Sequence, residues 1–164
     1  MSSRVRVRLL LVMFAALIGA SAALAAAGVP VTVRAAHNTK LSLSILVDQG
    51  GMTLYHLTAE KGTKIACTGA CASIWPPLVV PRGAKPQAGK GITNSKLGTV
   101  KRPDGRIQVT YAGLALYRYS GDHKAGDTKG EGSQHIWYAI SPSGQLVKSG
   151  GGYSGGGGYG GGGG

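Results

Sequence analysis

One internal offset constrains this chain more than its composition does. Shifted against itself by 62 residues, the 164-residue sequence places Gly51 on Gly113, Leu54 on Leu116, Tyr55 on Tyr117, Leu57 on Tyr119 and Glu60 on Asp122. The same shift places Ile74-Trp75 on Ile136-Trp137 and, upstream, Ile45 and Val47 on Ile107 and Val109. Glycine matches come easily in a chain with 29 glycines, but the chain has only two tryptophans and they coincide along with a Leu-Tyr pair. Each unit reads as strand, glycine turn, Leu-Tyr strand, acidic turn, variable loop and Ile-Trp. A lone unit of short strands leaves one apolar face in water, so the two units are expected to cover each other. The expected fold is all-β or mostly β, with two tandem hairpin-based repeats, about residues 43–81 and 105–143, packed into one small domain over 41–148.

Local patterns agree with that class. Ile107, Val109 and Tyr111 alternate onto one strand face, and Tyr117 and Tyr119 face opposite to Leu116. Gly50-Gly51 and Arg102-Pro103-Asp104-Gly105 mark turns. Residues 81–91 and 122–134 read as loops. Pro76-Pro77 stops a single helical turn that leads to Trp75. Asp122, three residues past Tyr119, is placed to cap a turn or to accept a tyrosine hydroxyl.

The two ends differ from this middle. Arg4, Arg6 and Arg8 precede an uncharged run from Leu9 to Ala27 that passes from bulky to small residues. That order is expected of a cleavable signal peptide over residues 1–27, forming a signal helix and cut between Ala25 and Gly28. No permanent membrane span is expected after cleavage. Residues 28–40 read as an extended lead-in. From Gly150 to Gly164, 12 of 15 residues are glycine, so residues 149–164 are expected to form a flexible, disordered Gly/Tyr-rich tail.

Charge and cysteine usage narrow the function classes. The net charge is +12, and about +9 once the three signal arginines are removed. The cations, among them Lys61, Lys64, Arg82, Lys85, Lys101, Arg102 and Arg106, read as a scattered basic surface. Such a surface is expected to attract anionic envelope polymers or an envelope protein. It has none of the dense helical patterning of specific nucleic-acid binding. The two cysteines, Cys67 and Cys71, are expected to form a disulfide in an exported chain. Their spacing fits neither a redox dithiol nor a zinc knuckle, and Ala72 stands where haem attachment needs histidine.

No arrangement of nucleophile and base resembles a catalytic set, so the expectation is a non-catalytic binding or structural module with no cofactor. The alternative class is a metal- or haem-binding, redox-associated periplasmic protein, for which His56, His123, His135 and Met52 are the weak candidate ligands. His37 is expected in water. The tyrosines are read as core residues.

The pattern Leu116-Tyr117-x-Tyr119-x-x-Asp122 resembles the signature of a bacterial secreted-repeat family of predicted lipoproteins, defined by a Tyr-x-aromatic-x-x-Asp motif. Gly51-Met52-Thr53-Leu54-Tyr55, Cys67-Thr68-Gly69-Ala70-Cys71, Trp75-Pro76-Pro77-Leu78 and Gln108-Val109-Thr110-Tyr111-Ala112-Gly113 resemble it too, so the likeness spans about residues 43–148. The resemblance implies a secreted or periplasmic protein built from a tandem repeat, and brings no catalytic residues. In the first unit Leu57 replaces the aromatic and Glu60 the aspartate, so a role tied to the motif is expected mainly in the second. There is no lipobox cysteine, so a form free of the membrane is expected.

Overall fold

The computed structural model describes residues 30–148; the expected signal peptide and tail lie outside the described residues. Among the described residues, nine strands form three small sheets. They are β1 (Thr32–Asn38), β2 (Leu43–Asp48), β3 (Tyr55–Leu57), β4 (Val79–Val80), β5 (Gln87–Ala88), β6 (Leu97–Lys101), β7 (Ile107–Tyr111), β8 (Leu114–Ala115) and β9 (Trp137–Ala139). One helix, α1 (Ala70–Ile74), lies between β3 and β4. Among the described residues no helix is long and apolar enough to cross a membrane.

The sheets run β2-β1-β5, β3-β9 and β4-β7-β6, with β8 hairpinned onto β7. Two isolated bridges at Tyr117, to Tyr55 and to Pro77, link them at the centre. The strands that meet there are buried on both faces, because successive side chains point to opposite sides. Leu46, Leu54, Leu78, Val109, Leu116 and Ile140 fill one core. Ile45, Val47, Tyr55, Trp75, Tyr117 and Trp137 fill the other.

Three features differ from the sequence reading. Residues 28–40 are not a lead-in outside the domain. β1 pairs with β2 from Val33↔Asp48 to Asn38↔Leu43, and Val33 is fully buried. Residues 81–91 are not wholly loop, since β5 adds to β1 in parallel. Both strands are too short or too weakly alternating to stand out in a local pattern. The upstream alignment also slips by one residue. Leu46 N–H donates to Ile140 O at 2.7 Å, and Val109 N–H donates to Leu78 O at 2.8 Å. Leu54 N–H returns to Leu46 O, and Leu116 N–H to Val109 O, both at 3.0 Å. Leu46 therefore takes the place of Val109, and Val47 does not. The first turn holds one more residue than the second, and Ile45 and Val47 then occupy the side taken in the second hairpin by Gln108 and Thr110.

Candidate functional site

The most chemically distinctive region is the junction where β3 meets the strand segment after β8. Tyr55 N–H donates to Tyr117 O at 2.8 Å and Tyr117 N–H donates back to Tyr55 O at 2.9 Å. Between the two side chains lies a tryptophan stack. The rings of Trp75 and Trp137 are 3.9 Å apart and 5° from parallel. Tyr55 meets Trp75 edge-on at 5.5 Å, and Tyr117 meets Trp137 edge-on at 5.2 Å. The edge-to-face contacts suit the ring quadrupole, and the stack buries two large apolar faces against each other. Tyr119 leans on Trp75 at 4.5 Å, whereas Leu57, the other member of that sequence pair, packs in the same core without a ring contact.

The acidic residues of the two units cross over. Tyr55 Oη donates to Asp122 Oδ2 at 2.7 Å. Tyr117 Oη donates to Glu60 Oε1 at 2.8 Å. Each tyrosine thus clasps the carboxylate of the opposite sequence unit. The carboxylates are completed by backbone: Lys129 N–H donates to Asp122, and Ala66 and Cys67 N–H donate to Glu60. Glu60, a departure from the motif in sequence, makes the same kind of clasp as Asp122. Burial, then the Asp122 carboxylate, hold the Tyr55 phenol well above its ordinary range. Burial, then Glu60, push Tyr117 up to about 12.

The two clasps close differently on their far sides. Tyr55 Oη accepts Gly130 N–H at 3.3 Å. A Cβ on Gly130 would sit 2.9 Å from the Trp75 ring and 3.0 Å from the Tyr55 ring, so this approach requires glycine. Tyr117 Oη instead accepts from the Arg102 guanidinium at 3.3 Å. Arg102 is 2% exposed, and also donates to Gln108 Oε1, to Cys67 O at 2.7 Å and to Asp104 Oδ2 at 3.3 Å.

Arg102 corrects the sequence reading, which counted it with the surface cations. The signal was present: Val100, Lys101 and Arg102 alternate in, out, in along β6 and its continuation, which puts Arg102 on the buried side with Val100. Gln108 was missed as well. It is fully buried, accepts from Arg102, and donates through Nε2 to Leu116 O at 2.8 Å.

Cys67 and Cys71 are joined by a disulfide. The bond closes the turn into α1, after which Trp75 N–H donates to Cys71 O at 2.8 Å. This places Trp75 at the helix end, and Pro76-Pro77 prevents continuation.

The weak metal candidates are not gathered. His56 is buried on β3, where its Nδ1 donates to Ala115 O at 3.1 Å. His123 and His135 are exposed in the long loop before β9, and Met52 lies in the turn after β2. Among the described residues no group of three His, Cys, Asp or Glu is placed to hold a metal ion, which counts against the metal or haem alternative. His37 is exposed, as expected.

A family described as a secreted repeat of unknown function matches residues 98–141. The match covers the second sequence unit, from β6 to β9, and so includes Arg102, Tyr117, Asp122 and Trp137. No curated protein and no solved structure matches the chain.

Proposed function

We propose that the chain is an extracytoplasmic, non-catalytic module that binds anionic envelope polymers; the match of residues 98–141 to a secreted-repeat family of unknown function supports the export. Its scaffold is two tandem repeats locked by reciprocal clasps. The crossed Tyr55–Asp122 and Tyr117–Glu60 bonds and the stacked tryptophans support the duplication, since each unit supplies what the other needs.

The observation that carries the binding reading is where the charges point. Asp48, Glu60, Asp122 and Asp127 are buried. Asp104 is held chiefly by Arg106 and less by Arg102, which keep its carboxyl well below the usual range. Lys61, Lys64, Lys85, Lys90 and Lys101 face water. The surface field is therefore more positive than the overall balance of acids and bases indicates. The non-catalytic reading has its own support: the best hydroxyl–carboxylate pairs are sealed in the core, and burial opposes proton release from their phenols.

The test is retention of the exported protein on anionic envelope polymer across a salt series. Binding at low salt should weaken steadily as screening shortens the reach of the surface field. Absence of binding at low salt overturns the reading.

A further inference from the structure

The cations are not equally placed, and one band of them is continuous. From residue 61 to residue 103 the chain contains eight lysines and arginines and no aspartate or glutamate. Arg102 is turned inward, and several of the others border the sheet β4-β7-β6. β6 is the outer strand of that sheet. Lys96 immediately precedes it and Lys101 ends it. Five residues of extended chain separate these two positions by about 16 Å. At the first end, Lys85 lines a shallow cleft with Leu97, Gly98 and Thr99. At the second, Lys101 is registered against Ile107, and Ile107 shares a cleft with Arg82 and Arg106.

The carboxylate at this face is Asp104, and it is occupied. It accepts from Arg106 at 2.8 Å and from Arg102 at 3.3 Å. Among the described residues, Arg82, Lys85, Lys96 and Lys101 take part in none of the ion pairs that join Arg102 and Arg106 to Asp104, Arg118 to Asp48 and Lys129 to Asp127. Lys96 rests its Nζ on Ser143 O at 2.7 Å, which fixes its position without neutralising it.

We infer that a band running along the β6 edge from Lys85 and Lys96 to Lys101, and then across the end of the sheet through Arg106 to Arg82 beside β4, is a binding face for a linear polyanion whose phosphates or carboxylates follow it. The inference rests on the envelope-polymer reading above and assigns that reading a place. A band of cations one strand long matches an extended chain of charges better than it matches a single small anion. At one end Arg82 adds the planar fork that pairs with phosphate or carboxylate oxygens in two contacts, while Arg106 spends its own on Asp104.

The experiment compares two variants of equal charge. One carries Arg82→Glu, Lys85→Glu and Lys101→Glu on the proposed face. The other carries Lys40→Glu, Lys61→Glu and Lys64→Glu, exposed cations outside it. Binding is measured at low salt to inorganic polyphosphate and to polyglutamate, which separates phosphate from carboxylate chemistry. Circular dichroism verifies the fold, and a milder Arg82→Gln, Lys85→Gln, Lys101→Gln variant replaces the first if it fails to fold. The face variant should lose about tenfold or more in affinity and the control clearly less, because removing cations in contact with the polymer removes counterion release. Equal losses would overturn the assigned face while leaving polymer binding intact. Failure of the unaltered protein to bind either polymer would overturn both. Tighter binding to duplex DNA of matched charge than to either polymer would overturn the ligand class.

Discussion

The Tyr55 clasp and the Tyr117 clasp share a geometry and differ in how they are closed. Around Tyr55, the hydroxyl and Asp122 are completed by backbone N–H groups of Gly130 and Lys129. Around Tyr117, the hydroxyl is completed by the guanidinium of Arg102, which is itself fixed by Gln108 and the Cys67 carbonyl. One clasp is an acid held by chain dipoles; the other places an acid and a cation on the same phenol oxygen. The source of the difference is the extra residue in the first turn. It turns Ile45 and Val47 toward the tryptophan core, while the shorter second turn puts Gln108 and Thr110 on that side. Gln108 supplies the acceptor that lets Arg102 stay buried. Arg102 sits opposite Arg106 as Asn38 sits opposite Leu43, so the first half has a buried, uncharged amide where the second has a cation.

The largest expected effect tests what the two halves share. Trp75→Ala and Trp137→Ala should each cost about 3–5 kcal/mol, because both remove a large buried ring from one stack. Denaturant unfolding should remain a single transition for each variant. Two transitions, or a near-zero cost at either position, would mean that the halves are independent.

The next effect isolates what they do not share. Arg102→Leu leaves the buried Gln108 Oε1 and the Cys67 carbonyl without their donor, so it should cost about 1–3 kcal/mol for each acceptor left unpaired. Lys40→Leu, at an exposed cation of the first half, should change stability by within about 0.5 kcal/mol. Comparable unfolding midpoints for the two variants would show that the buried cation is not what closes the second clasp.

The smallest effect is read in alkali. Both phenols are raised above the ordinary value of 10.0, Tyr117 to about 12 and Tyr55 further. Folding holds the protonated form, so the stabilisation is complete below pH 10 and is lost as pH rises toward and through the folded values. The denaturant midpoint should therefore hold up to about pH 10 and fall above it. Tyr117→Phe should cost about 1–3 kcal/mol at neutral pH and flatten part of the alkaline fall. Tyr55→Phe should do the same for the other clasp. Tyrosinate absorbance that rises fully near the ordinary value would show that neither hydroxyl is sealed.

Much of the candidate site could be read from residue order. Tyr55, Tyr117, Glu60, Asp122, Trp75 and Trp137 stood out because the offset of 62 ties them together, and the structure gathers all six at one junction. The disulfide followed from two cysteines close in sequence in an exported chain. Turn glycines such as Gly51, at φ 85°, and Gly113, at φ 80°, were legible because few other residues adopt that backbone.

What residue order alone determined, then, was a mostly β chain with its aromatic and acidic motif residues in two matched sets. Those are local and periodic properties, set by alternation, turn chemistry and spacing. Only the tertiary structure decided that each tyrosine clasps the other unit's acid, that β1 and β5 join the domain, and that Cys67 and Tyr117 converge on the inward-facing Arg102. Each of these is a pairing between segments distant in sequence, and local propensity carries no information about which distant group will satisfy a buried donor. Arg102 shows the reason most directly. Its charge favours water, and its burial is tolerated only because Gln108, Tyr117, Cys67 and Asp104, from four different positions in the chain, converge to accept from its guanidinium.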